Sequence, residues 1–354
     1  MKLRVGILTG QQIEHERNAR TFRLRNVRIG IGFHWDRYED QEFEGELEII
    51  TNADGSKTAV NIIDIEDYLT SVISSEMSSN APIELLKAHA VISRSWVRRA
   101  IGHTNHIGFD VCADDHCQRY EGLKRRNQRA IEAVRETAYQ VLTYTDINQQ
   151  TEICDCRYHK CCGGHTETYK TCWEDKEIAY LKGVDCPYCN EIQPVESLND
   201  YDLETRDYHD WTIKYSEPDL RAIIERKSGM EFGEIKHLEP IKRGVSGRIY
   251  ALRIQGSKRN EVIGKELKIR QWLSNSCLYS SWFDVIEKEI PTRNDTRIPH
   301  SDIKTEKEFI LQGHGWGHGV GLCQIGAAIM AEKGYHYEEI LQYYYPGTKL
   351  MTIE

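Results

Sequence analysis

The sequence lacks any long run of apolar residues, which argues against a helix that spans a membrane. Such a helix needs roughly 18 to 20 consecutive apolar residues, and no stretch of this chain approaches that length. The N-terminus, MKLRVGILTGQQ, alternates like a first β-strand and does not contain the apolar segment of a secretory signal peptide. We therefore expect no membrane-spanning segment, and either an export signal that this sequence omits or a protein that stays in the cytoplasm.

The sequence also lacks a basic segment. Its formal net charge is -9 at pH 7, and acidic and basic residues are interspersed along the chain. Domains that bind nucleic acid carry a patch or stripe of lysine and arginine on one face. The charge pattern therefore argues against nucleic acid as a partner.

The length of the chain predicts two lobes. A single hydrophobic core usually stops growing at about 250 to 300 residues, and this chain has 354. Residues 195–300 are more charged and poorer in cysteine than the rest, which predicts a separate α+β lobe, while residues 1–194 and 301–354 form the other lobe. We expect an α+β fold with a groove between the lobes as the natural place for a site.

Hydrophobic periodicity and turn residues predict further elements. They include strands within residues 1–62 with a turn at Asp54-Gly55, a helix near 127–137, strands near 139–144 and 153–158, a helix that starts at Ser216, a polar linker over 291–305, and a helix over 322–333 that ends at Gly334.

The stretch from Ile63 to Arg99 predicts two helices joined by a short polar turn, with Glu76 at the junction. Asp64 can cap the first helix, with Asp67 three residues later. One face of this helix is apolar, formed by Tyr68, Leu69, Val72 and Ile73. The face that the second helix buries is formed by Leu85, Ala88, Ile92 and Trp96, after Pro82 in its first turn.

Glu76 lies on the apolar face of the first helix, where a leucine would simply continue the stripe. Burial against apolar neighbours raises a carboxyl pKa and keeps the group protonated near neutral pH, as a general acid requires. The alternative is a solvated residue of the last helical turn. Arg94, on another face of the second helix, has an ordinary exposed arginine as its alternative interpretation.

Nine of the eleven cysteines lie between Cys112 and Cys189. An odd total argues against a complete disulfide framework, and the close Cys/His spacing suits tetrahedral zinc. Cys112, His116 and Cys117 can share one ion, with a fourth ligand from Cys161, Cys162 or water. The pair Cys186 and Cys189 forms a CxxC half-site that Cys172, Cys154 or Cys156 can complete. A redox CxxC is the weaker alternative, since the motif does not open a helix after a strand.

The turn G-H-G-W-G-H-G-V-G places His314, Trp316 and His318 on a backbone that can approach a ligand closely. It has neither the spacing of a dinucleotide-binding loop nor the lysine of a P-loop. Metal ligation, sugar contact and a purely structural role all remain open for these histidines.

Four motifs together resemble the SpoIID/LytB domain family. They are I-E-D-Y-L-T-S-V-I-S-S-E-M with I-E-L-L-K-A-H-A-V-I-S-R-S-W, then C-Q-R-Y-E-G, then C-G-G-H-T-E, and finally G-H-G-W-G-H-G-V-G-L-C-Q-I-G-A with Y-Y-Y-P-G-T. They occur in the family's order over essentially the whole chain, with an S-G-R segment at Ser246 to Arg248.

The resemblance implies a peptidoglycan lytic transglycosylase with Glu76 at the position of the catalytic glutamate. Such an enzyme cuts glycan strands between N-acetylmuramic acid and N-acetylglucosamine and releases 1,6-anhydro products. The motif positions expected to line the groove and bind substrate are Arg94, Gln118, Tyr120, Gly163, Gly164, His165, His314, His318 and Gln324. Because the substrate lies outside the cytoplasmic membrane, the resemblance implies the cell envelope as the compartment.

Some members similar to this chain carry zinc at the cysteine-containing loop, so the resemblance supports Cys112, His116 and Cys117 as ligands of a structural zinc ion. Together with the spacing argument, the expected ligands of one or two ions are Cys112, His116, Cys117, Cys162, Cys172, Cys186 and Cys189. LytB-like members are described as enhancers of a cell-wall amidase, so a glycan-binding module without catalysis is the alternative function. A zinc-dependent hydrolase centred on the cysteine cluster is a weaker third hypothesis.

Overall fold

Strands and helices of this protein form an α+β fold, as the sequence predicts. The computed structural model describes residues 1–33, 35–77, 81–190, 209–291 and 305–353. The strands are β1 (Lys2–Gly10), β2 (His15–Arg17), β3 (Thr21–Ile29), β4 (Arg37–Glu44), β5 (Glu46–Thr51), β6 (Lys57–Asp64), β7 (Val111–Cys112), β8 (Gln140–Thr145), β9 (Thr151–Ile153), β10 (Tyr158–His159), β11 (Asp210–Ser216), β12 (Ile235–Arg243), β13 (Ile249–Gly256), β14 (Asn260–Ile263), β15 (Phe283–Pro291), β16 (Thr305–His314), β17 (Leu322–Cys323) and β18 (Lys349–Thr352). The helices are α1 (Ile65–Glu76), α2 (Ile83–Ala100), α3 (Gln128–Glu136), α4 (Tyr169–Cys172), α5 (Glu217–Ser228), α6 (Glu266–Trp272), α7 (Gln324–Glu332) and α8 (Tyr337–Tyr344).

The described residues divide into two compact units. The first unit contains residues 1–157 and 327–353, and the second contains residues 158–190 and 209–326. The helix pair with Glu76 belongs to the first unit. The C-G-G-H-T-E segment and the glycine-rich turn belong to the second.

In the first unit, a four-stranded sheet leads directly into the helix pair. Its strand order is β5-β6-β1-β7, and the predicted turn at Asp54-Gly55 joins β5 to β6, with Gly55 at φ 83°. β6 ends at Asp64, whose carboxylate caps α1 by accepting a hydrogen bond from the Glu66 N–H at 3.0 Å. The sequence predicted this cap. It starts the helix that ends at Glu76.

Helix α2 is buried on more sides than its predicted apolar stripe. Leu85, Ala88, Ile92 and Trp96 are buried as predicted. Pro82 stands just before the first helical residue rather than within the first turn. Polar positions of the helix are buried as well, among them His89, Ser93 and, on the side opposite the stripe, Arg94. An interior helix needs polar partners at such positions, because a buried polar group without a hydrogen bond destabilises the fold.

Arg94 obtains those partners, so its interpretation as an exposed arginine is wrong. Only 1% of its side chain is exposed. Its guanidinium donates to both carboxylate oxygens of Glu66, at 2.8 and 2.7 Å, and to the Gln140 carbonyl at 3.0 Å. The ion pair therefore links α1, α2 and the start of β8.

Two further predictions for the first unit differ in outcome. Asn127 caps α3 by accepting from the Ala130 N–H at 2.9 Å, which confirms the helix near residues 127–137. The predicted strand over residues 153–158 is wrong, because β9 ends at Ile153 and residues 154–157 are irregular. Two cysteines of this irregular segment, Cys154 and Cys156, are buried.

The second unit contains two three-stranded antiparallel sheets, β11-β16-β15 and β12-β13-β14. Helix α5 begins at the predicted cap Ser216, which accepts from the Asp219 N–H, and it ends at Gly229 in the left-handed region. Trp211, Phe232 and Phe309 lie in the core shared by these elements. The predicted linker over residues 291–305 falls almost entirely outside the described residues, between the end of β15 and the start of β16.

The C-terminal segment follows its predicted order of strand, turn, helix, helix and strand. Helix α7 begins at Gln324 rather than at residue 322, because Leu322 and Cys323 pair in β17 with β10. The chain then turns at Gly334, with φ 90°. Among the described helices, none combines the length and the apolarity needed to cross a membrane.

Glu66→Gln should destabilise the first unit by about 2 to 4 kcal/mol, because it leaves the buried Arg94 guanidinium without its counter-charge. Urea unfolding followed by circular dichroism measures the change. Glu152→Gln is the matched control, since it breaks the exposed ion pair with Arg99 and should cost about 1 kcal/mol or less. Equal losses for the two variants would contradict a structural role for the buried pair.

Candidate functional site

Glu76, the candidate acid, is the last residue of α1, at the junction that the sequence predicts. Its side chain is partly buried. One carboxylate oxygen, Oε1, accepts a hydrogen bond from the backbone N–H of Arg119 at 3.0 Å. The protein therefore holds this carboxyl by a main-chain donor, whose position depends on the backbone and not on a rotamer.

The segment Cys117–Gly122, which carries the C-Q-R-Y-E-G motif, docks its backbone on the last two turns of α1. Ser71 donates from Oγ to the Gly122 carbonyl at 2.6 Å. Ser75 accepts at Oγ from the Glu121 N–H at 3.2 Å. Ser71 and Ser75 are four residues apart, so they share one helical face. Sequence reasoning missed both serines, although their i, i+4 spacing is the available signal.

Gln118 and Tyr120 point into the first unit from this segment. Each is 1% exposed. The Tyr68 hydroxyl donates to Gln118 Oε1 at 3.2 Å, and the Tyr120 hydroxyl donates to Asn61 Oδ1 at 2.6 Å. Burial raises the pKa of the Tyr68 phenol well above its usual value, and the negative groups nearby, Cys117 and Glu76 among them, add to the shift.

Three residues predicted to bind substrate, namely Arg94, Gln118 and Tyr120, are therefore supports of the helix pair in this structure. Their polar atoms are buried and bond to protein partners, so sugar hydroxyls would have to displace those partners. Their contact with substrate stays a prediction. In the structure Arg94 belongs to α2, and Gln118 and Tyr120 belong to the segment that packs against α1.

The first cluster of metal-ligand side chains contains Cys112, His116 and Cys117 as predicted, and adds His106. His106 Nε2 lies 3.3 Å from Cys117 Sγ, and His116 Nδ1 lies 3.9 Å from Cys112 Sγ and 3.5 Å from Cys117 Sγ. Ligand atoms around a tetrahedral zinc are separated by about 3.3 to 3.8 Å, given its bond lengths. The donor set and its spacing fit zinc.

The chemistry of the first cluster also suits a cation. Hydrogen bonding from Cys117 lowers the pKa of Cys112 to about 4, although burial of the thiol opposes the shift, and His116 adds to it. Cys112 therefore supplies a thiolate at neutral pH, the form that binds metal. The cluster is attached to the sheet through Cys112, which pairs with Gly6 of β1.

The second cluster lies in the second unit and consists of Cys162, Cys186, Cys189 and Cys323. Cys186 and Cys189 were predicted together as a CxxC half-site. Cys162 was predicted as a candidate fourth ligand of the first cluster, and Cys323 stands where Cys172, Cys154 or Cys156 was expected. Cys172 is a correction: its sulfur lies 3.4 Å from the His318 carbonyl and outside the cluster. The sequence could not supply Cys323, because 134 residues separate it from Cys189 and only the pairing of β10 with β17 brings it near.

His314 lies directly opposite Asp210 where β16 pairs with β11. Its Nδ1 contacts the Asp210 carboxylate at 2.5 Å, and His209 Nδ1 contacts the other carboxylate oxygen at 3.0 Å. Burial of the Asp210 carboxyl is outweighed by these two histidines, so its pKa is lowered. The His314 side chain is 41% exposed, which leaves part of the ring accessible to a ligand. Asp210 and His209 are functional candidates that sequence reasoning missed.

Three other residues of the second unit that are predicted to contact substrate are His318, His165 and Gln324. His318 Nδ1 accepts from the Val320 N–H at 3.0 Å, and its ring contacts those of His159 and Trp173. His165 is partly exposed and its Nδ1 contacts the Thr166 carbonyl at 2.6 Å. Gln324 is 4% exposed at the start of α7.

Gly163 and Gly164 shape the loop before His165. Both have positive φ, 82° and 116°. A Cβ on Gly163 would lie 3.0 Å from the backbone nitrogen of Gly315. The C-G-G-H-T-E segment and the glycine-rich turn can therefore approach this closely only because residue 163 has no side chain.

Arg248 and Glu167 hold these two segments to the S-G-R segment. Arg248 is fully buried and donates to the carbonyls of Cys162 and Gly317, at 3.1 and 3.3 Å. Burial, together with the Arg248 cation, lowers the pKa of His159 to about 3. Glu167, also fully buried, accepts from the Ser246 N–H and hydroxyl at 3.1 and 2.6 Å. The sequence motifs predicted these segments but not the hydrogen bonds that join them.

Two family models and several curated proteins are similar to this chain in sequence. Residues 53–144 match the sequence model of SpoIID, described as stage II sporulation protein, and residues 167–321 match a domain of unknown function, DUF8618. An uncharacterized protein of Brachyspira hyodysenteriae is 28% identical over 312 residues, which covers 88% of this chain and 72% of that protein.

Two relatives from Bacillus subtilis have descriptive names. Stage II sporulation protein D is 25% identical, with 82% of this chain and 76% of that protein covered. The amidase enhancer is also 25% identical, with 80% of this chain covered but only 40% of the relative's length. Residues 53–144 therefore correspond to a SpoIID domain. The matches support the assignment to the SpoIID/LytB family that the four motifs predict.

Gly319→Ala should destabilise the second unit by about 2 to 4 kcal/mol. A Cβ at this position would come within 2.5 Å of the Arg248 guanidinium, and the residue has φ 83°. Strain from the left-handed backbone and overpacking of the buried arginine both contribute. Chemical unfolding measures the loss.

Gly229→Ala is the control for backbone strain, since Gly229 also has positive φ, 69°, but open space around its Cα. It should cost about 1 kcal/mol. If Gly319→Ala costs no more than this control, the packing of the turn against Arg248 is not a constraint.

Proposed function

We propose that this protein is a peptidoglycan lytic transglycosylase with Glu76 as its catalytic residue. The observation that carries the proposal is the carboxyl of Glu76, held at the end of α1 by the Arg119 N–H within the part of the chain that matches SpoIID. The names of its relatives, stage II sporulation protein and amidase enhancer, support a role at the cell wall. That substrate makes an extracytoplasmic location the expected one.

One carboxyl is sufficient for the proposed reaction. Protonated Glu76 gives its proton to the glycosidic oxygen between N-acetylmuramic acid and N-acetylglucosamine as that bond breaks. The resulting carboxylate then takes the proton from the muramoyl 6-hydroxyl, whose oxygen bonds to C1 and closes the 1,6-anhydro ring. No water is consumed, so the second carboxylate of a hydrolase is not required.

The Arg119 N–H has a specific part in this cycle. It donates to Oε1 of Glu76 at 3.0 Å. The same donor stabilises the carboxylate that forms once the proton has left.

For contact with sugar hydroxyls and acetamides we propose the partly exposed histidines of the second unit, His165, His314 and His318.

Zinc at the first cluster is part of the proposal, with His106, Cys112, His116 and Cys117 as ligands. Cys117 stands two residues before Arg119, so a bound ion would fix the segment whose N–H contacts Glu76. Its role is structural: no open coordination position is needed once four protein ligands are counted.

A second candidate function is favoured by the relative named amidase enhancer. In that case the protein would bind glycan strands and stimulate a cell-wall amidase without cutting the strands itself. The chain covers 40% of that relative, so the comparison extends to less than half of it.

Incubation of the protein with peptide-free glycan strands should release 1,6-anhydromuramoyl products, detected by mass spectrometry. Glu76→Gln removes the transferable proton while keeping the size of the side chain, and should lower the rate by at least about 100-fold. Glu46→Gln, a change at an exposed glutamate of β5, is the control and should retain the native rate.

An unchanged rate in Glu76→Gln would exclude this glutamate as the acid. Glycan binding without any cleavage by the native protein, combined with stimulation of an amidase by both native protein and Glu76→Gln, would favour the second function instead.

Cys112→Ser should remove about one equivalent of zinc per chain and lower the thermal unfolding temperature, because the first cluster loses a ligand. Glu76→Gln should keep the native zinc content, which separates loss of metal from loss of the acid. A zinc-dependent hydrolase would instead lose turnover on chelation while its circular dichroism spectrum stayed native. That result would overturn the structural role.

A further inference from the structure

The four sulfurs of the second cluster lie close together inside the second unit. Cys162, Cys186 and Cys323 are fully buried, and Cys189 is 6% exposed. All four Sγ atoms lie within 4.8 Å of one another, with Cys162 and Cys189 at 3.3 Å. Cys186 and Cys189 come from the short 3-10 turn Pro187–Asn190 and the residue before it, while the other two come from separate segments.

Backbone N–H groups point at these sulfurs. The Gly164 N–H donates to Cys162 Sγ at 3.4 Å. Cys323 Sγ accepts from two donors, the N–H groups of Cys162 at 3.3 Å and Gly326 at 3.4 Å. Such donors stabilise thiolates and are the outer contacts that metal-bound cysteines usually have.

Four buried thiols this close to one another require an interaction that stabilises the arrangement. Several thiolates without a counter-ion would repel one another in a medium of low polarity. A divalent cation removes the repulsion, and four sulfurs in a compact, non-planar set match the tetrahedral geometry of a structural zinc site. A CxxC pair on a tight turn is the usual half of such a site.

Disulfides explain the arrangement less well. A disulfide joins two sulfurs at about 2.05 Å and takes them pairwise. Here each sulfur approaches all three others, and the N–H donors favour charged acceptors. The set is therefore better suited to one shared ion.

We propose that Cys162, Cys186, Cys189 and Cys323 bind a zinc ion, separate from the ion of the first cluster. It joins three parts of the second unit: the residue before Gly163 and Gly164, the CxxC turn, and the residue before α7. This role concerns folding and does not depend on the proposed glycan cleavage, so the two can fail independently.

Elemental analysis of purified protein tests this site. The native chain should contain about two zinc ions, one for each cluster, and Cys323→Ser should contain about one. Cys172→Ser is the matched control: the same substitution in the same unit, at a cysteine outside the cluster, should leave about two. Retention of two ions by Cys323→Ser, or iron in place of zinc, would overturn the proposal.

X-ray absorption at the zinc edge tests the same site in the unaltered protein, and so remains informative if Cys323→Ser does not fold. One site with two sulfurs and one with four give an average of about three sulfurs per zinc. An average of about two, or disulfides among these four cysteines in peptide mapping without reductant, would contradict the site.

Discussion

The last turns of α1 and the backbone of Cys117–Gly122 depend on each other. A helix end leaves polar groups exposed, and here Ser71, Ser75 and Glu76 use that end to bind a neighbouring main chain. The hydrogen bond from the Arg119 N–H connects the carboxyl of Glu76 to this segment. The segment begins at Cys117, which belongs to the first cluster. The orientation of the candidate acid therefore depends on the cysteine loop as well as on α1.

In the second unit, a glycine-rich backbone and a buried arginine hold the loops together. Its glycine-rich turn has positive φ at Gly315, Gly317, Gly319 and Gly321, so side chains are excluded from the backbone that contacts Cys161 and Cys162. The buried Arg248 satisfies carbonyls of both segments. His314 and His318, which lie between the glycines, are partly exposed, which is consistent with their proposed role toward sugars.

Local sequence patterns accounted for the helices and most strands because their causes are local. Asp64, Asn127 and Ser216 each cap a helix through a side chain that reaches an N–H two or three residues away. Periodicity placed Glu76 at a helix end. The irregular chain at residues 154–157 was missed, because its local pattern predicts a strand while β9 ends at Ile153.

The sequence by itself determined the α+β class, the position of Glu76 at a helix end and the resemblance to the SpoIID/LytB family, because each depends on short spacings and on motif order. Only the tertiary structure decided that Arg94 is buried in an ion pair, that His106 joins the first cluster, and that Cys323 completes the second. These depend on contacts between residues far apart in the chain. Sequence spacing alone cannot choose among the several cysteines that could complete the cluster. The pairing of β10 with β17 brings Cys323 next to Cys162.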